Sequence, residues 1–285
     1  MTNQATKKQM RRLRSHFAFT KIPFSKFMWA VNMFDSAGQR ELDQGLHMWT
    51  EVKGIGLVAG PSGVGKSITL RRFTSGLDEA RFLVIDFAYL PSTVTGFMRS
   101  LSRKLGLPMR LHTADLFDAA QAYLTSYEKD HGAHPIIVLD DAEGLRVPVI
   151  DAIRRLTCYD LDSEDRFSVL LSGTDELLTK LADPVLTPLR SRFTYSYTLR
   201  PFGLEDTTNY VAFHLDRAGV DPKLFSPDAV KKLFHASHGQ PRSINQLALQ
   251  ALIQAAVQGH DTIDGAFMHH LVSTHPLYQS QGAAP

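Results

Sequence analysis

The sequence predicts an α/β fold in which a five-stranded parallel sheet is flanked by helices and followed by a small all-helical domain. Three observations carry this. Short, uniformly apolar runs alternate with helical periodicities through the first two thirds of the 285 residues, as expected for strands buried on both faces. The first of these runs feeds directly into a glycine loop and a helix. After Pro201 no strand-like run intervenes and helix follows helix.

In chain order, Ile55 to Ala59 (Ile-Gly-Leu-Val-Ala) reads as a buried strand, ahead of the loop Gly60-Pro-Ser-Gly-Val-Gly-Lys-Ser67 and a helical stretch from Ile68 to Phe73. Arg81 to Ala88 is the second strand and Pro91 to Leu105 a loop and helix. Asp115 to Asp130 is a helix with Leu116, Phe117, Ala120, Tyr123, Leu124 and Tyr127 on one face. Ile136 to Leu139 is the third strand, ending in Asp140 and Asp141. Val149 to Tyr159 is a helix, Phe167 to Ser172 the fourth strand, Glu176 to Ala182 a helix and Phe193 to Leu199 the fifth strand. Four helices follow, over Leu204 to Gly219, Pro227 to Gly239, Pro241 to Gly259 and Ile263 to Ser273. Ser226 is placed to cap the helix that Pro227 opens, and Gly219, Gly239 and Gly259 sit where helices end. The expected division is a basic flexible arm over 1–15, an α/β domain over 16–201, a helical domain over 202–275 and a flexible tail over 276–285.

Apolar content of 44% and charged content of 21% describe a folded globular protein. The single Cys158 cannot form an internal disulfide and fits a reducing compartment. No apolar run approaches the roughly 18 to 20 residues that span a bilayer, and no secretory leader opens the sequence. These features point to a cytoplasmic protein with no membrane segment. The net charge of +2 conceals Lys7, Lys8, Arg11, Arg12 and Arg14 crowded into the first fifteen residues. Such an arm is either a solvated leader or a segment that touches nucleic acid or a partner.

Gly60-x-x-x-x-Gly65-Lys66-Ser67 satisfies the phosphate-loop pattern between a strand and a helix. Gly60, Pro61, Ser62, Gly63, Val64 and Gly65 form the loop whose N–H groups face phosphates, and the helix opened by Lys66, Ser67 and Ile68 adds its partial positive charge. Lys66 reaches the β- and γ-phosphates of ATP, and the Ser67 hydroxyl ligates Mg²⁺. That ion needs oxygen ligands and the attacking water needs an oriented acceptor. Asp140 and Asp141 supply both, Asp140 on the metal and Asp141 on the water. Glu143 is either a substitute base or a surface cap on the following turn. Thr174, with Ser172 behind it, follows the fourth strand, where a hydroxyl either bonds the γ-phosphate or lytic water or closes an ST-turn. Phe17, Phe19, Phe24, Phe27 and Trp29 are core residues or the wall of an adenine pocket.

Read together, these motifs resemble the AAA+ ATPases of the secretion-type (ExeA-like) family and its relatives, the transposition helper ATPases (TnsC-, TniB- and IstB-like). The resemblance runs from about His16 to His275. It rests on His16-Phe-Ala-Phe-Thr-Lys-Ile-Pro-Phe24, the phosphate loop, Asp140-Asp-Ala-Glu143, Ser172-Gly-Thr-Asp-Glu-Leu177, Leu189-Arg-Ser-Arg-Phe193 and Gly239-Gln-Pro-Arg242. It departs from the family at Asp141, where a glutamate is usual, and at Thr174, where the secretion type tends to have glutamine. A shorter carboxylate at 141 implies slow turnover, since a well-placed base contributes about 10² to 10⁴ in rate.

The resemblance implies a P-loop ATPase active as a homo-oligomer, a ring or helical filament. Arg192, or else Arg190, would reach into the neighbouring subunit's site, where a guanidinium can bind two phosphate oxygens. Arg242, in the first turn of its helix, matches the residue through which the helical lid senses the γ-phosphate. Secretion-type members are tied to the inner membrane, whereas this sequence shows no spanning run and ends soon after the lid. The expected role is therefore that of a transposition helper that assembles on double-stranded DNA with ATP and recruits or activates a transposase, hydrolysis driving disassembly. DNA contacts are expected after the second strand, from Thr93, Arg99, Arg103 and Lys104 together with Ser92 and Thr95. The alternative is a secretion-associated or other regulatory ATPase that acts on a protein partner without DNA.

Overall fold

In a computed structural model the structure describes residues 13–25, 33–158 and 165–278. Lys7, Lys8, Arg11, Arg12, Phe27, Trp29, Tyr159 and the tail from Gln279 lie outside them. The chain divides into two compact units, 37–200 and a second that joins 201–285 to the residues before 37.

The first unit is an α/β layer structure. Strands β1 (Ile55–Ala59), β2 (Phe82–Asp86), β3 (His134–Leu139), β4 (Ser168–Gly173) and β5 (Phe193–Thr198) form one sheet in the order β2-β3-β4-β1-β5, and each neighbouring pair is parallel. β1, β3 and β4 are buried at every position, whereas β5, at the sheet edge, alternates half-buried Phe193, Tyr195 and Tyr197 with exposed Thr194, Ser196 and Thr198. Burial on both faces accounts for the continuous Ile, Val and Leu runs. One face packs on Phe97, Met98, Leu101, Leu116, Leu124, Ile150 and Ile153, supplied by the helices Val94–Lys104, Thr113–His131 and Val147–Thr157. The other packs on Leu42, Leu46, Trp49, Leu70 and Phe73.

Leu42, Leu46 and Trp49 belong to a helix, Ala37–Val52, that sequence reading left unassigned. Glycines at 38 and 45 dilute its helical signal, and one of them has a specific use. A Cβ at Gly45 would run into the Tyr195 ring, so the small residue lets the helix lie on the edge strand.

The second unit consists of the helices Leu204–Arg217, Pro227–Ser237, Pro241–Gln258 and Gly265–Thr274 around a core of their own, including Val211, Leu215, Leu233, Ile244, Leu247 and Leu252. Ser226 caps its helix by accepting from the Ala229 N–H at 3.1 Å. The domain boundary differs from the expected one at residue 16. Phe17, Phe19 and Phe24 are buried in the helical core, Phe24 packs at a tilt against His214 with ring centroids 4.9 Å apart, and the Thr20 N–H donates to the Ala218 carbonyl at 2.9 Å. The described residues of this segment, 16–25 and 33–36, thus belong with the helices, drawn there by Phe17, Phe19 and Phe24. Leu13, within the expected arm, is buried in the same core. At the other end Tyr278 turns back, its hydroxyl donating to Gln246 Oε1 at 3.1 Å, so the described part of the expected tail is held.

Candidate nucleotide site

The site is built where parallel strands end. Cross-strand pairing puts Leu139 beside Leu171 and Leu171 beside Leu57, so β3, β4 and β1 reach their C-terminal edge in step. Asp140 follows β3, Thr174 follows β4 and Gly60 follows β1. With neighbouring strands about 4.8 Å apart, the three turns share one edge, beside the point where the chain leaves β1 and crosses to the far side of the sheet.

The loop after β1 depends on its glycines. Gly60, Gly63 and Gly65 have φ of 150, 81 and 109°, all in the region that favours glycine. A Cβ on Gly60 would run into the Leu199 carbonyl oxygen. Gly65 precedes the helix Lys66–Gly76 in left-handed geometry, with no side-chain cap. A substituted residue at either position would lose the curl that aims successive N–H groups inward. Val64 is buried and anchors the loop, Pro61, Gly63 and Ile68 are half-buried, and Ser62 and Ser67 are exposed. Lys66 is 5% exposed, and its Nζ donates to the carbonyls of Gly60 at 2.7 Å and Pro61 at 3.1 Å.

Across the edge, Asp140 Oδ1 is buried and has no hydrogen-bond partner among the described residues, and the same holds for Ser172 Oγ. A buried carboxylate oxygen left unmatched is costly unless a cation or donor completes it. The donor set fits Mg²⁺, a hard ion that takes a few protein oxygens and shares the rest of its shell with phosphates and water. Asp141 is exposed and sits at φ 53°, a left-handed conformation uncommon outside glycine but one that aspartate and asparagine enter more readily than most residues. Thr174 is half-buried and opens the Asp175–Leu181 helix without using its hydroxyl as a cap. The side chain is therefore not consumed by an ST-turn.

Glu143 departs from the surface-cap reading of it. It lies in the short turn Ala142–Gly144, yet its carboxylate folds back to β4, where Oε2 accepts the Thr174 N–H at 3.3 Å. Its carboxylate is not a surface cap and lies beside Thr174.

Of the two candidate arginines, Arg190 is exposed and donates to Thr187 Oγ1 of its own turn at 3.0 Å, while Arg192 is half-buried. Arg242 is the exposed second residue of its helix in the other unit. The Gly-Gln-Pro-Arg motif has a backbone reason there: Gly239 has φ 69°, its carbonyl accepts the Phe202 N–H at 2.9 Å, and a Cβ would strike the Phe202 carbonyl. Gln39, which sequence reading missed, is 5% exposed with its side-chain nitrogen 3.0 Å from where a Gly65 Cβ would stand. No motif marks it, because its position comes from the unassigned helix.

The residues after β2 divide. Arg99 and Arg103 are exposed one turn apart on the helix Val94–Lys104. Thr93 instead caps that helix, accepting from the Gly96 N–H at 3.1 Å, and Thr95 pairs with Thr113 at 2.7 Å. Lys104 lies 3.6 Å from Asp86 Oδ1 and over the Phe87 ring. Ser92 is exposed.

Residues 50–181 match the AAA domain family. A stretch of 156 residues is 33% identical to General secretion pathway protein A of Aeromonas hydrophila, covering 52% of this chain and 28% of that protein. The chain therefore spans less than a third of that relative's length. Among solved structures, Cdc6p of Pyrobaculum aerophilum is similar over 88% of this chain and 68% of its own, with a TM-score of 0.57 at 19% identity. Drosophila ORC bound to DNA is similar over 93% of this chain and 65% of its own, with a TM-score of 0.60 at 14% identity. Among the described residues no helix is long and apolar enough to cross a membrane. The phosphate loop, the acid-tipped third strand and the sheet order agree with these likenesses: residues 50–181 are similar to the AAA domain, and the chain has the α/β fold with a helical C-terminal part that these solved structures share.

Proposed function

We propose that this chain is an ATP-controlled switch that assembles with copies of itself on double-stranded DNA and governs a transposase, with slow hydrolysis undoing the assembly. The observation that carries the nucleotide part is the pairing of a glycine-curled loop with a buried, unmatched Asp140 Oδ1 on the same sheet edge. In this reading Lys66 and the loop N–H groups hold the triphosphate, and Ser67 and Asp140 hold Mg²⁺. The ion, when bound, offsets charge on the phosphates. Asp141 accepts a proton from the attacking water, and the Thr174 hydroxyl orients that water or the γ-phosphate. Arg192, or Arg190, completes the site of an adjoining copy, which would make turnover depend on assembly, an effect worth about 10³ to 10⁵ in rate in other P-loop enzymes. Arg242 makes the helical unit responsive to nucleotide.

Exposed Arg99 and Arg103 support the DNA part, as phosphate contacts that carry no base information. A solved AAA+ relative bound to DNA adds to it. The similarity to General secretion pathway protein A favours a second reading, in which the partner is a protein and no DNA is involved. Retention on duplex DNA with a slowly hydrolysed ATP analogue separates them. The first reading expects log affinity to fall with log salt at about 0.9 per phosphate contact, and a shallower slope for Arg99→Ala with Arg103→Ala. No retention at low salt, with assembly intact, would leave the protein-partner reading.

A further inference from the structure

Among the polar contacts of the site edge, one set joins two turns that carry different parts of the chemistry. The turn after β3 holds Asp140 and Asp141, and the end of β4 holds Thr174. Glu143 Oε2 accepts the Thr174 N–H at 3.3 Å. Lys180, from the last turn of the helix that Thr174 opens, donates Nζ to the carbonyl of Glu143 and to that of Leu145 at 3.1 Å. One helix therefore grips the acidic turn at both of its own ends. Gly173 makes this approach possible: a Cβ there would lie 2.7 Å from Glu143 Oε2 and 2.7 Å from Leu177 Cδ2. Ala142 and Leu145, flanking Glu143, are fully buried, so the turn is fixed below and its carboxylate is directed sideways to β4.

We infer that Glu143 is a positioning residue for hydrolysis: by holding the Thr174 N–H, while Lys180 holds its backbone, it keeps the Thr174 hydroxyl in register with Asp140 and Asp141. This rests on the ATP-hydrolysing reading of the site. It gives Glu143 no proton to carry. The role needs an acceptor oxygen at position 143 but no ionisable group there, which distinguishes it from a base. A glutamine offers the same acceptor, and an alanine offers none. Losing one hydrogen bond to a charged acceptor costs roughly tenfold or more where the geometry it sets is needed only in the reaction.

The experiment compares wild type, E143Q, E143A and K180M in ATP hydrolysis, in affinity for a non-hydrolysed ATP analogue, in thermal midpoint, and in hydrogen exchange across 172–177. The expected result is a kcat about tenfold lower in E143A and K180M, with analogue affinity and midpoint close to wild type, and faster exchange at Thr174 in E143A. E143Q should recover most of the lost rate and the slow exchange. The inference is overturned if E143Q loses as much rate as E143A, which would make Glu143 a base. It is also overturned if E143A changes neither rate nor exchange, or if affinity and midpoint fall together with kcat, as for a purely structural contact. If wild type binds no ATP, the functional reading itself has failed. That outcome is distinct from an active wild type in which E143A is indifferent.

Discussion

The two ends of the same sheet treat buried polar groups in opposite ways. At the N-terminal end, His134 opens β3 almost fully buried, and its two ring nitrogens lie 2.9 Å from Glu128 Oε2 and 2.9 Å from Ser168 Oγ. Glu128 also receives Lys53 Nζ on both oxygens at 2.9 Å. Burial holds His134 below its ordinary pKa despite the Glu128 carboxylate, so the neutral ring donates Nδ1–H to Glu128 and accepts the Ser168 hydroxyl at Nε2. At the C-terminal end, Asp140 Oδ1 and Ser172 Oγ have no partner among the described residues. Ser168 and Ser172 are residues of one strand, both with no exposed surface, and they differ in which end they occupy. The matched His134 cluster serves the architecture, whereas the unmatched Asp140 and Ser172 oxygens lie on the edge that carries the phosphate loop, where a ligand can supply the bond.

The comparison predicts that mutations at the two ends separate chemistry from stability. The largest effect is expected for Asp141→Asn, which should lower ATP hydrolysis by about 100-fold or more, the low end for a general base because this carboxylate is short, while assembly and thermal midpoint persist. Turnover at the parental rate would show that Asp141 is not the base. Lys66→Ala comes next, with nucleotide affinity falling by about 100-fold in a binding titration, as for loss of one or two charge-assisted hydrogen bonds, and ATP-dependent assembly lost with it.

His134→Ala should do the reverse. It strands the buried Ser168 hydroxyl, while Glu128 keeps Lys53, and should cost about 2 kcal/mol in a denaturant melt, with the hydrolysis rate per folded molecule unchanged. A stable but slow His134→Ala protein would break the comparison.

The helical unit supplies a limiting case. His214 is 2% exposed among Phe24, Tyr210 and Phe213, its Nδ1 has no partner among the described residues, and burial lowers its pKa to about 4. The folded state keeps this ring neutral, so the unfolded chain takes up the proton first as pH falls below about 6.5. The stability contributed is complete above that value and is lost toward pH 4, on the order of 1 kcal/mol between pH 7 and 5.5. His214→Phe should flatten that part of the pH–stability curve. An unchanged curve would mean that other groups carry the acid response.

Much of this was legible in the sequence, and for identifiable reasons. Gly60, Gly63 and Gly65 announce their loop because positive φ excludes most other residues, and β3 announces its acids because a strand buried on both faces must be apolar until it ends. All five strands match their expected spans within about two residues, and the alternation of Phe193 to Thr198 reflects an edge position that only the strand order reveals. What could not be read depends on contacts between distant segments. The helix Ala37–Val52 carries glycines that fit it against Tyr195, Gln39 reaches Gly65 only through that helix, and Glu143 reaches Thr174 across 31 residues of chain. The aromatics of 16–24 showed that the segment is buried without showing in which unit. Thr93 looked available for DNA because a capping hydroxyl and a phosphate-binding one have the same sequence signature.

The central claim is that Lys66, Ser67 and Asp140 converge on a triphosphate and its metal. Calorimetric titration of ATP into wild type and Asp140→Asn, each with and without Mg²⁺, tests it most directly. The account predicts tight binding to wild type that weakens without Mg²⁺, and binding to Asp140→Asn that is much less sensitive to the ion, with the thermal midpoint of the free protein unchanged or raised. Equal Mg²⁺ dependence in both proteins, or no ATP binding by wild type, would contradict it.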